Sequence, residues 1–135
     1  MQAIKNAKGF SLAELLLAAA ILALLSSMLL QTAISSFILN QTNRNSSIAI
    51  IHAQYAMEEI KGTNFDNIKP DIDSGSWNWS STDISGKGLS PLPGETISTQ
   101  ETGTSLLNVM VTVNWEDKTG RNRNVSLQTY FAQPP

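Results

Sequence analysis

The chain has 135 residues, a formal charge of −2, 15 % charged residues and no cysteine. That length allows one modest domain beside an N-terminal segment and leaves no room for two cores. The weakly acidic balance leaves no nucleic-acid footprint, and without cysteines the fold cannot be stapled by disulfides, so packing, partners or an ion must hold it.

The first element is a short basic leader with Lys5 and Lys8, followed by Gly9-Phe10-Ser11-Leu12-Ala13-Glu14 and a long apolar run. From Phe10 to Asn43 the only charged residue is Glu14. Residues 10–30 would span about 31 Å as a helix, matching a hydrocarbon core of roughly 30 Å. A carboxylate inside such a segment costs roughly 2.5–3.5 kcal/mol at mid-membrane, less near the interface, and marks a functional position by default. A cleaved secretory signal would have a shorter apolar region without an internal acid. A soluble core helix would need a polar face, which this segment lacks. An ordinary signal anchor with an incidental Glu14 stays open. Lys5 and Lys8 place the N-terminus in the cytoplasm and the remainder outside.

No glycine or proline interrupts residues 10–61. This predicts one very long helix of about 78 Å, with Ser26-Ser27 and Ser35-Ser36 as weak points. Residues 40–47 are polar and poor helix formers. They mark where the helix leaves the membrane, or a break in it. Beyond Ile48, the apolar positions Ala49, Ala53, Ala56, Met57 and Ile60 recur at helical spacing, opposite Gln54, Glu58 and Lys61. This half is amphipathic and should lay small residues on a sheet, with Gly62 as its C-cap.

Residues 63–103 read as loop-rich, with short strands around 76–80 and 96–99. At the end of the chain, Leu107, Val109, Val111, Val113 and Trp115 alternate with polar residues or Met110. Residues 116–121 form a turn, and Val125, Leu127, Thr129 and Phe131 alternate on a return strand. This predicts an antiparallel hairpin over about 106–131 that must pack on the helix or on further strands. The fold class is therefore α+β: a long N-terminal helix, apolar then amphipathic, packed on a small antiparallel sheet.

Other candidate sites are weak. His52 is the sole histidine and has no cysteine to pair with, so it reads as a packing or surface residue. No phosphate loop or nucleophile elbow is present, and the chain reads as a non-enzyme with no cofactor. Asp71 and Asp73 faintly resemble the start of a calcium loop. The spacing does not fill a twelve-residue site, so turn and capping duty explains them better. Trp77 and Trp79 lie on one side of an extended segment, as core or as a contact patch.

The leader, the Gly9-Phe10 junction, Glu14 and the apolar run together resemble the prepilin signature of type IV pilins and type II secretion pseudopilins. The stretch Ala53–Lys61 and the C-terminal hairpin look like minor pilins of the PilV and GspI kind. The resemblance implies a residue 1–9 leader, a core helix over 10–39, an amphipathic half over 40–61 and an extracytoplasmic domain over 62–135. It implies cleavage after Gly9 by a prepilin peptidase and methylation of the Phe10 amine. A bland reading of Gly9 is a flexible linker; the functional one is a position where a side chain would obstruct the peptidase. Removing residues 1–9 leaves seven basic and eleven acidic residues, a formal charge of −4. Glu14 would then lie near the positive end of the helix dipole, where the new amine of its own or a neighbouring chain can pair with it. The implied partners are the peptidase, other subunits, the inner-membrane assembly platform and the membrane itself. The implied site is the bacterial inner membrane, single-pass, and then a pilus or pseudopilus. The chain has no proline in the apolar half, where pilins commonly have one, and no C-terminal disulfide loop, which major pilins often carry. The expectation is a minor subunit. Its alternatives are a major subunit, or an anchored extracytoplasmic binding domain unrelated to filaments.

Overall fold

The computed structural model describes residues 11–102 and 106–132. The leader, with Lys5, Lys8, Gly9 and Phe10, lies outside the described residues. Helix α1 runs Leu12–Lys61, helix α2 Phe65–Asp73 and helix α3 Ser81–Gly86. Strands β1 (Thr96–Thr102), β2 (Leu106–Glu116) and β3 (Asn122–Ala132) form one antiparallel sheet in the order β1-β2-β3. The chain divides into two compact units at Asn40–Gln41.

In the first unit, α1 has no buried residue from Leu12 to Leu39. Its most apolar 18-residue window has a mean hydropathy of 2.3, and the helix is long and apolar enough to cross a membrane. Exposure of Leu12 at 78 % and Leu29 at 71 % is unusual for a soluble surface, which rarely presents a contiguous apolar face of this size. The expected weak points are absorbed by back-bonding. Ser27 Oγ donates to the Leu24 carbonyl at 2.8 Å, and Thr32 Oγ1 to the Met28 carbonyl at 2.9 Å. The polar stretch 40–47 is helical throughout, with Ser47 Oγ donating to the Asn43 carbonyl at 3.0 Å. Of the two readings left open there, a break is the one the helix rules out.

In the second unit, Ala49, His52, Ala53, Ala56, Met57 and Ile60 are the buried face of α1. Gln54, Glu58 and Lys61 are exposed, as the periodicity predicts. The small residues join Leu107, Val109, Val111, Val113 and Trp115 of β2 in one core. Alanine keeps the helix close to a valine-rich sheet without voids. Gly62 follows the helix and donates its N–H to the Glu58 carbonyl at 3.1 Å, but its φ is not positive. The helix ends there without the left-handed glycine turn expected of a C-cap.

The stretch expected to be loop contains two helices. In α2, Asn64 caps the start by accepting from the Asp66 N–H, and Ile68 and Ile72 bury one face. Pro70 sits inside this helix. It removes one N–H and argues for a loop locally, and burial of the two isoleucines one turn apart outweighs it. In α3, Ser80 and Asp83 form a reciprocal capping box, and Ile84 is fully buried. The Ser80 hydroxyl, then its N–H, holds the Asp83 carboxyl below the usual range. The expected strand near 96–99 exists and extends to Thr102. Only Trp79, bridged to Ile97, represents the one expected near 76–80. Trp77 and Trp79 are both buried, so the contact-patch reading fails.

The hairpin lies where the alternation places it. Its turn is built around Asp117, whose carboxylate accepts from Thr119 Oγ1, from the Thr119 N–H at 2.8 Å, the Arg121 N–H at 3.1 Å and Arg123 Nε at 3.1 Å. Gly120 supplies a φ of 75°. The Thr119 hydroxyl foremost, joined by the Arg121 N–H and the Arg123 side chain, pushes the Asp117 carboxyl well below the usual carboxylate range, against an opposing effect of burial second only to that hydroxyl. A depressed folded value means the stabilisation is present above the unfolded value of about 3.9 and is lost as pH falls below it. Asp117→Asn is therefore expected to lower the melting temperature near pH 6 and to narrow the gap from the parent as pH drops below about 4. Thermal melts from pH 6 to pH 2.5 check this; a gap that stays constant with pH would rule it out.

Candidate functional site

The described part of the N-terminal segment begins at Ser11. Its N–H donates to Glu14 Oε2 at 2.8 Å, and the Glu14 N–H donates to Ser11 Oγ at 3.2 Å. Ser11-Leu12-Ala13-Glu14 is thus a capping box, closing two of the unpaired N–H groups at the start of α1. Sequence reasoning missed this use of Glu14, although the serine–acid spacing was legible. The carboxylate is held at the first turn, where the helix dipole favours negative charge. It stays exposed and can exchange this contact for a stronger cationic partner.

In the second unit, His52 is 3 % exposed and Glu95 is fully buried, with His52 Nδ1 and Glu95 Oε1 2.7 Å apart. Glu95 Oε2 accepts from the Leu92 N–H, which fixes the loop before β1. His52 is a packing residue, as one of the two sequence readings has it. Its ionic partner is 43 positions away and left no local signal.

Lys87 Nζ lies 2.8 Å from Glu59 Oε1 and 4.2 Å from the Trp79 ring centroid, while Tyr55 meets Trp79 edge-on at 6.1 Å. An open groove beside them is lined by Ser76, Asn78, Thr82 and Asp83. Its polar groups are engaged: Asn78 Oδ1 accepts from the Thr99 N–H, and Asp83 from Ser80. Asp71 and Asp73 lie on α2, not in a loop. Asp73 approaches Lys69 at 3.8 Å, and Lys69 also pairs with Glu101. Among the described residues, no three His, Cys, Asp or Glu side chains converge as a metal site would require.

Comparison with known proteins adds one result. Residues 4–30 match the family model described as the prokaryotic N-terminal methylation motif. The matched residues lead into helix α1, whose apolar first half precedes the helix-on-sheet fold. That match supports the resemblance to type IV pilins and pseudopilins. No curated protein and no solved structure matches the chain.

Proposed function

We propose that this chain is a minor structural subunit of a type IV pilus or type II secretion pseudopilus. In this reading it enters the inner membrane with Lys5 and Lys8 inside and its second unit outside. A prepilin peptidase cuts after Gly9 and methylates Phe10. The apolar half of α1 then packs among other subunits on the assembly platform, with Glu14 pairing with a terminal amine. The observation that carries the reading is the methylation motif at residues 4–30 set on a helix whose apolar half buries nothing. Such a surface is stable only in lipid or among other helices. The absence of cysteine and the hairpin's likeness to minor pilins favour a minor subunit.

The test is the intact mass and N-terminal sequence of the membrane-extracted chain, with and without a co-expressed prepilin peptidase. The expected product starts at methylated Phe10 and depends on the peptidase. Gly9→Val is expected to abolish that product, because a branched side chain obstructs close approach to the backbone. A chain that keeps Met1, or one cut beyond Leu30, would instead indicate an anchored or secreted domain. Abundance in sheared filaments separates minor from major subunits.

A further inference from the structure

Between Glu14 and Glu58, Arg44 is the only lysine, arginine, aspartate or glutamate. It lies within α1 and is exposed, and among the described residues its side chain makes no ion pair and no hydrogen bond. Its neighbours along the helix are amides and hydroxyls, from Gln41 to Ser47, with no acid among them. Residues 12–39, which bury nothing, make about 42 Å of helix at 1.5 Å per residue. That exceeds the roughly 30 Å of a hydrocarbon core and matches the roughly 40–45 Å that includes both headgroup layers. The Arg44 backbone lies about 7.5 Å beyond Leu39 along the axis. Helical side chains lean toward the N-terminus, so the guanidinium is carried back over the preceding turn, which holds Gln41. A long basic side chain placed there lays its methylenes along the helix and delivers its charge at headgroup depth.

We propose that Arg44 binds the phosphate of a phospholipid headgroup on the extracytoplasmic face, and so sets how far α1 sits in the bilayer. The chemistry fits: a guanidinium presents a planar fork of donors that matches two phosphate oxygens. The Gln41 amide, one turn back on the same face, can add a further donor. Depth selects lipid over protein. The nearest carboxylate that follows on α1 is Glu58, about 21 Å further along the axis. A second copy anchored at the same depth therefore offers Arg44 another Arg44 and no acid. A phosphate layer surrounds any chain that spans the bilayer, and the uncharged belt leaves Arg44 no competing partner of its own. One arginine after the apolar run against Lys5 and Lys8 before it keeps the excess of positive charge inside. The inference rests on the membrane-spanning part of the function proposed above, and requires neither cleavage nor filament growth.

The arginines of the chain are Arg44, Arg121 and Arg123, and the last two are held at Asp117. The full, uncleaved chain, isotope-labelled at its guanidinium carbons, is reconstituted into vesicles of phosphatidylethanolamine and phosphatidylglycerol in phosphate-free buffer. Resistance to alkaline extraction checks that it is integral. Solid-state NMR then measures dephasing of the guanidinium carbons by lipid phosphorus, which requires direct contact. The expected result is dephasing of one arginine's share of the signal in the parent. It falls to background in Arg44→Gln and is unchanged in Arg121→Gln. Glutamine is about as good a helix former as arginine, so Arg44→Gln should stay integral and melt with the parent. An integral parent without dephasing overturns the proposal, whether Arg44 then meets another protein or water. Dephasing that survives in Arg44→Gln overturns it too, by placing the contact at another arginine. A chain released by alkaline extraction fails the membrane reading itself, and this proposal with it.

Discussion

His52→Ala is expected to destabilise the second unit by about 1–3 kcal/mol, because it leaves the buried Glu95 side chain without its hydrogen-bond partner. Glu95 is fully buried, and its Oε2 is already committed to the Leu92 N–H. A loss of that size is a large share of the roughly 5–15 kcal/mol that holds a typical domain. The pair itself contributes less than its disruption costs, since burying both polar groups offsets the hydrogen bond they gain. The double variant His52→Leu with Glu95→Gln is therefore expected to recover most of the loss. It removes the charge and keeps an acceptor for the Leu92 N–H. Denaturant titration of the parent, both single variants and the double variant supplies the coupling energy. A cost below about 1 kcal/mol for His52→Ala would place the carboxylate in contact with water and undo the argument.

The second large effect concerns Glu14, whose observed cap and proposed amine pairing one substitution can separate. The capping box needs an acceptor for the Ser11 N–H, and a glutamine amide oxygen serves. Pairing with a terminal amine needs the charge. Glu14→Gln is expected to keep α1 intact and leave cleavage after Gly9 unchanged, yet lose incorporation into filaments as completely as Glu14→Val. Ser11→Ala breaks the box alone, at a cost of about 1 kcal/mol at the helix start, and should still assemble. The readout is the processed chain in sheared filaments against the processed chain in membranes. If Glu14→Gln assembles like the parent, the carboxylate is a cap and the pairing role falls.

The second half of α1 and the hairpin were legible because their signals are local and periodic. Alanines three and four apart define a helix face, and Leu107 to Trp115 at every second position define a strand face. α2 and α3 were missed because their local signals conflict or are short. Pro70 speaks against a helix that Ile68 and Ile72 stabilise only once a core exists. The capping boxes at Ser11–Glu14 and Ser80–Asp83 were readable from their serine–acid spacing.

By itself, the sequence determined the membrane-length apolar run with its single acid, the amphipathic continuation and the C-terminal hairpin. All of these rest on neighbours within a few residues. Only the tertiary structure decided that His52 meets Glu95 and that Trp77 and Trp79 are buried against β1. Those facts join residues tens of positions apart, and their energies appear only when the chain brings the groups together and removes the water between them.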